Sequence, residues 1–95
     1  MDTQTNGLRI ASDVRYRVIG GEAVVVCQNT AEVLVLNPLG SRILGLLEKG
    51  RVPDEIQTTL LEEYDVEESR LRDDLNRYLD ELLEAGVIAR DGQVP

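Results

Sequence analysis

The side chains in this sequence that can carry covalent or acid–base chemistry are one Cys (Cys27), one Lys (Lys49), three Tyr (Tyr16, Tyr64, Tyr78) and 18 carboxylates, with no His. Without His there is no Ser-His-Asp or Cys-His nucleophile, because the base that takes up the proton is missing. A zinc site built from Cys and His is excluded too, and a lone Cys closes no intrachain disulfide. Cys27 ends the apolar run Ala23-Val24-Val25-Val26-Cys27 with no base near it in sequence, and reads as a buried, inert thiol. The carboxylates gather in Glu62-Glu63-Asp65-Glu67-Glu68 and in Asp73-Asp74. As a metal or acid–base site they lack the spacing and interposed Gly of a calcium loop, and neighbours such as Glu62 and Glu63 point different ways from a helix. They read as a solvated helix surface. Gly20-Gly21 is no phosphate loop, because it joins two apolar runs and opens no helix. Catalysis is therefore the weaker reading: no catalytic residue, no metal ligand and no cofactor is expected.

The frame that positions these residues is small. A chain of 95 residues makes one domain and buries only roughly 60–65% of the surface its unfolded form exposes. An apolar share of 42% is too high for disorder, and no apolar run approaches the ~20 residues of a membrane span. Met1 to Gly7 is polar without a basic cluster, unlike a signal peptide, so the cytoplasm is the expected compartment. The net charge of −8 is uneven: residues 1–30 sum to zero, while residues 31–95 hold 7 basic and 15 acidic side chains. An acidic half repels phosphates, which argues against nucleic acid and anionic membranes as partners.

Along the chain the pattern changes period once. Val14-Arg15-Tyr16-Arg17-Val18 alternates apolar with charged, Gly20-Gly21 supplies a hairpin turn, Glu22 to Gln28 forms a β-branched run, Asn29-Thr30 turns again, and Glu32 to Leu36 follows. The reading is a three-stranded antiparallel meander. Asn37-Pro38 then combines an N-cap with a first-turn proline, and the helix after it places Leu39, Ile43, Leu46 and Leu47 on one face before Gly50. Pro53-Asp54-Glu55 opens a second helix with an apolar face of Ile56, Leu60 and Tyr64. A third, from about Glu67 to Ala85, repeats Leu71, Leu75, Tyr78, Leu79 and Leu82 at helical spacing, with Gly86 as C-cap and Val87-Ile88 as an apolar anchor. The expected architecture is α+β, a three-stranded antiparallel sheet followed by three helices (βββααα), like a winged helix-turn-helix. The expected division is a flexible tail over 1–12, the domain over 13–90 and a second tail over 91–95. The last two strands are apolar at consecutive positions, so a second apolar face is expected, either covered within the chain or waiting for a partner beside an edge strand.

Two helices joined tightly around Tyr64 to Glu68 raise the possibility of a DNA-reading pair. The helix from Glu67 carries seven acidic residues against Arg70, Arg72 and Arg77, a net of −4 on the element that would approach phosphates. Only ten residues follow Ala85, too few for a β-hairpin wing. Charge opposes what topology allows.

The stretch Val33-Leu34-Val35-Leu36-Asn37-Pro38-Leu39-Gly40-Ser41-Arg42-Ile43-Leu44-Gly45-Leu46-Leu47, followed in order by Asp54-Glu55-Ile56, Leu60, Tyr64-Asp65-Val66, Asp74-Leu75, Leu79, Leu82-Leu83 and Gly86-Val87-Ile88, resembles the PqqD-like family over about Asp13 to Arg90. The resemblance implies a RiPP recognition element, a non-catalytic module that binds the leader segment of a ribosomally made precursor peptide. In such modules the leader adds as an antiparallel strand to the third strand and lies against the third helix, for presentation to a modifying enzyme or leader peptidase. Carried onto this chain, the docking edge is Ala31 to Leu36, with Val33, Leu34 and Val35 lining it. The helix offers Leu71, Leu75 and Tyr78 for an apolar leader side chain, and Arg70, Asp74 and Arg77 for charges. A lasso-peptide pathway is the favoured setting. The competing expectations are a winged-helix nucleic-acid binder and a structural adaptor that dimerises through its sheet.

Overall fold

A computed structural model describes residues 7–90; the expected tail over 91–95 and the first six residues of the one over 1–12 lie outside the described residues. Five strands and three helices follow in the order β1 (Leu8–Ile10), β2 (Val14–Ile19), β3 (Glu22–Cys27), β4 (Glu32–Leu36), α1 (Pro38–Glu48), α2 (Pro53–Glu63), α3 (Glu68–Glu84) and β5 (Ile88–Arg90). The meander is present: β2, β3 and β4 form an antiparallel sheet with β3 in the middle. Three helices follow it, so the α+β architecture is as the pattern predicts.

One pairing was not visible in the periodicity. Leu8–Ile10, assigned from sequence to a tail, is a strand that pairs antiparallel with Ile88–Arg90. The cause lies at both ends of the chain. A left-handed Gly86 (φ 80°) stops α3, with the Gly86 N–H on the Leu83 carbonyl and the Val87 N–H on the Leu82 carbonyl. That turn aims Val87 and Ile88 into the core, where both are buried together with Leu8. The Ala11 N–H then donates to the Val87 carbonyl and extends the pairing. The apolar anchor expected at Val87-Ile88 thus also supplies backbone partners.

The helices begin where the sequence places their signals. Asn37 caps α1 by accepting the Gly40 N–H on its side-chain oxygen at 2.9 Å, with Pro38 in the first turn. At α2 the Glu55 carboxylate reaches back to the Val52 N–H, and Asp54 and Glu55 lie at the positive end of the helix dipole. The core is the inward face of the sheet (Val14, Ala23, Val25, Cys27, Leu36) against Ile43, Leu44, Leu46 and Leu47 of α1, closed by Ile56 and Leu60 of α2 and by Leu71, Leu75, Leu79 and Leu82 of α3. Tyr64, predicted on the buried face of α2, instead sits exposed at the helix end, because the backbone leaves the helix there with ψ 140°. Among the described residues no helix is long and apolar enough to cross a membrane.

Two local features carry consequences for stability. Ala31 has φ 60°, the left-handed conformation, in the four-residue connection between β3 and β4. A Cβ there costs about 1–2 kcal/mol, part of which Gly returns through its looser unfolded chain. Ala31→Gly is therefore expected to stabilise the fold by up to about 1 kcal/mol, read as a higher urea midpoint. Separately, the Tyr16 hydroxyl donates to the Glu48 carboxylate. Burial first, then that hydrogen bond and the carboxylate's charge, push the Tyr16 pKa up to about 12. The neutral phenol is thus favoured by folding. Its contribution is complete below the unfolded value of about 10 and fades as pH rises through about 12. The denaturation midpoint of the wild type should fall more steeply across that alkaline window than that of Tyr16→Phe.

Candidate functional site

Hydrogen-bond parity determines which groups β4 leaves unused. The Gln28 N–H donates to the Asp13 carbonyl at 3.0 Å, so Asp13 and Gln28 form a hydrogen-bonded pair at the end of the β2–β3 ladder. In an antiparallel ladder such pairs alternate. Val26, Val24 and Glu22 therefore bond to β2, while Cys27, Val25 and Ala23 turn their N–H and C=O groups towards β4, opposite Glu32, Leu34 and Leu36. The remaining β4 residues, Val33 and Val35, point their backbone donors and acceptors away from the sheet. This is an open edge.

The other edge differs. By the same parity Val14, Tyr16 and Val18 face outward on β2. There the Val14 N–H is bonded to the Ala11 carbonyl, and the Val14 carbonyl accepts from the Arg15 guanidinium at 3.0 Å. Arg15 and Arg17 also place charge along that strand. Charged side chains and locally satisfied backbone groups discourage strand addition.

On the face away from the helices, Val33 and Val35 are 61% and 62% exposed, and Val26 lies beside them. Sequence left open whether this second apolar face is covered. Among the described residues it is not.

Just past the C-terminal end of β4, where the chain enters α1, lies a small cavity of about 90 Å³, lined by Leu39, Tyr64, Val66, Arg70, Leu71 and Asp74. Three elements build it: the first turn of α1, the connection after α2, and the first turns of α3. A larger groove of about 450 Å³ runs along α3 at Asn76, Leu79, Asp80 and Leu83. Those positions lie on the opposite side of the helix from Arg70, Leu71 and Asp74, so the larger groove is remote from the cavity.

The side chains expected at the site fall into three groups. Val33 and Val35 lie on the open edge, and Leu34 is half-buried beneath it; Ala31 belongs to the turn before β4, and Leu36 is buried with its backbone turned to β3. On α3, Leu75 is only 1% exposed and is a core residue, whereas Leu71 is buried but contributes to the cavity wall. Arg77 bonds Asp74 at 2.9 Å, and Arg70 approaches the same carboxylate at 3.9 Å. Tyr78 is half-buried with its ring over Gly40, and its hydroxyl donates to the Asn37 side-chain oxygen at 3.0 Å. Burial pushes the Tyr78 pKa up. Asn37 thereby ties the end of β4 to both α1 and α3. Leu39, Tyr64 and Val66 were not singled out as binding residues. Their signals in the sequence are Leu39 on the apolar face after Pro38 and the pair Tyr64 and Val66 flanking Asp65 between two helices, which also suit plain core packing.

With this geometry in place, comparison with known proteins is informative. Residues 22–88 match the family model described as Coenzyme PQQ synthesis protein D (PqqD). The chain belongs to the PqqD family. Among solved structures, this PqqD-family chain is similar to "TbiB1 in Complex with the TbiA(beta) Leader Peptide", at 30% identity and a TM-score of 0.81 over 92% of this chain and 99% of that one. It is also similar in fold to "Lasso peptide synthetase B1 complexed with the leader peptide", at 22% identity and a TM-score of 0.79 over 86% and 96% of the two chains. No curated protein matches it.

The joint between β4 and the helices can be tested through Gly40. A Cβ at that position would overlap the Tyr78 hydroxyl and ring. Gly40→Ala should therefore displace Tyr78 and destabilise the fold by about 1–3 kcal/mol. In a Tyr78→Ala background the same substitution should cost much less, a non-additivity that urea denaturation of the two single variants and the double variant measures directly.

Proposed function

We propose that this protein is a RiPP recognition element that binds the leader segment of a ribosomally made precursor peptide. The leader adds antiparallel to β4 and passes the cavity at the start of α3, without catalysis by this chain. The observation that carries the reading is the edge of β4. The N–H and C=O groups of Val33 and Val35 point out of the sheet between apolar side chains, while on the opposite edge the Val14 groups are bonded within the chain and Arg15 and Arg17 add charge beside the outward groups of Tyr16 and Val18. Strand addition takes affinity from such backbone groups and specificity from pockets for alternate side chains. Membership of the PqqD family and likeness to two chains described with leader peptides support the same assignment. The finer reading is delivery of the bound precursor to a maturation enzyme of a lasso-peptide pathway, a leader peptidase being the favoured recipient.

The test uses the labelled leader region of the precursor encoded beside this chain's gene. Saturable binding with a dissociation constant on the order of ten micromolar or tighter is expected. Absence of saturation in that range rejects the assignment. Val35→Pro removes one outward N–H while leaving the β3–β4 ladder intact, as proline on an edge strand permits. It should weaken binding by roughly tenfold or more, since an added strand also meets the pyrrolidine ring. Val35→Thr keeps the N–H and should bind nearly as the wild type does. Leu34→Pro, by contrast, removes a bond to Val25 and should unfold the sheet edge. A folded Val35→Pro variant with unchanged affinity places the peptide elsewhere.

A further inference from the structure

The helix beside β4 is held to the rest of the fold in two different ways. Its buried face is Leu71, Leu75, Leu79 and Leu82, and apolar packing of this kind is non-directional. The charges Arg70, Asp74 and Arg77 pair along the helix itself. Tyr78 acts differently, because its hydroxyl leaves α3 and donates to the Asn37 side-chain oxygen at 3.0 Å. Asn37 directly follows Leu36, the last residue of β4, and the same oxygen accepts the Gly40 N–H at 2.9 Å. A carboxamide oxygen has two lone pairs, so one atom serves both donors.

Gly40 shows that α1 makes room for this contact. Gly40 and Gly45 both lie inside α1, where glycine is less favourable than alanine. A Cβ at Gly45 would meet nothing, whereas one at Gly40 would overlap the Tyr78 hydroxyl and ring. The missing side chain at Gly40 therefore admits the tyrosine to the end of the strand. The ring supplies the reach, and the hydroxyl supplies the direction. Val33 and Val35, whose backbone groups face outward, stand on the same strand just before Asn37.

Strand addition needs the β4 edge and α3 to keep their separation while the peptide enters between them. An element that must be ordered on binding subtracts that cost from the affinity. A cleft that is competent only part of the time lowers affinity by that fraction. We infer that Tyr78 is a positioning residue for the added strand: through Asn37 its hydroxyl holds α3 at the end of β4, and it raises affinity by that bond and not by bonding the peptide. This rests on the leader-binding reading and deepens it, by naming what keeps the cleft ready.

The probe is the same labelled leader region, titrated against the intact wild type and variants whose urea midpoints show that each is folded under the binding conditions. Tyr78→Phe keeps the ring over Gly40, removes the bond, and should weaken binding by roughly three- to tenfold. Asn37→Ser still caps α1, but its oxygen is too close to the main chain to reach Tyr78, and it should match Tyr78→Phe. The double variant should be no weaker than either single one, since both remove the same bond. Asn37→Asp keeps an acceptor for both donors and should bind nearly as the wild type does. A merely structural role would lower the urea midpoints and leave the affinity of the folded variants unchanged, which overturns the inference. Loss in Tyr78→Phe with none in Asn37→Ser puts the hydroxyl on the peptide and overturns it too, as does loss in Asn37→Asp. The two ideas fail separately. Absence of saturable binding by the wild type rejects the leader reading, whereas saturable binding indifferent to residues 37 and 78 rejects only this inference.

Discussion

Every backbone donor and acceptor of β3 is committed inside the sheet, alternately to β2 and to β4, and this alternation dictates what β4 offers to solvent. The register fixed by the Gln28–Asp13 bond leaves Glu32, Leu34 and Leu36 paired and turns Val33 and Val35 outward. A shift by one residue would exchange the two sets and would also bring the side chains of Val24 and Val26 into the core in place of Val25 and Cys27. Core packing and edge chemistry are therefore one constraint. Burial of Ala23, Val25 and Cys27 selects the register, and the register selects the outward pair.

A three-stranded meander has two edges, and a binding module needs them to differ. Here the difference is local. On β2, the Arg15 side chain folds back onto the Val14 carbonyl and the Ser12 carbonyl, and Tyr16 is tied to Glu48 of α1. On β4 the side chains flanking the outward groups are valines, which add apolar contact and no charge. The cavity lies at the end of β4, because Asn37 binds the Gly40 N–H and the Tyr78 hydroxyl and so holds α1 and α3 against the end of the strand. The same side-chain oxygen that caps a helix sets the distance between the strand edge and the helix beside it.

Local signals explain why most of the fold was legible. Asn37-Pro38, Pro53-Asp54-Glu55 and Gly86 are punctuation whose physics acts within a few residues, and each marks an observed helix end. The β1–β5 pairing was not legible. Three-residue strands separated by nearly the whole chain carry no period of their own, and they form only because α3 returns Val87 and Ile88 to the place where Leu8 is buried. The site divides in the same way. Val33 and Val35 follow from alternation along one strand, whereas Leu39 of α1 and Tyr64 and Val66 of the connection after α2 meet α3 around one cavity only in three dimensions. Ala31 shows the limit of pattern alone: it adjoins the strand in sequence, yet its positive φ places it in the turn.

The outline of strands before helices admits two ways of binding a linear polymer, a helix laid into a nucleic-acid groove or a strand laid onto a sheet edge. Charge separates them. The solvent-exposed side chains of α3 include Glu68, Asp73, Asp80, Glu81 and Glu84 against Arg70, Arg72 and Arg77, and Arg77 is turned onto Asp74 of its own helix. Approach to a phosphate backbone would set these carboxylates against a high density of like charge, and breaking the Arg77–Asp74 pair would recover only one cation. Strand addition makes no such demand. Its main attraction is between neutral amides at Val33 and Val35, short-ranged and little affected by a net charge of −8 on the remainder of the chain. The acidity of the helical layer is then compatible with peptide binding and opposes the nucleic-acid-binding use that the topology would permit.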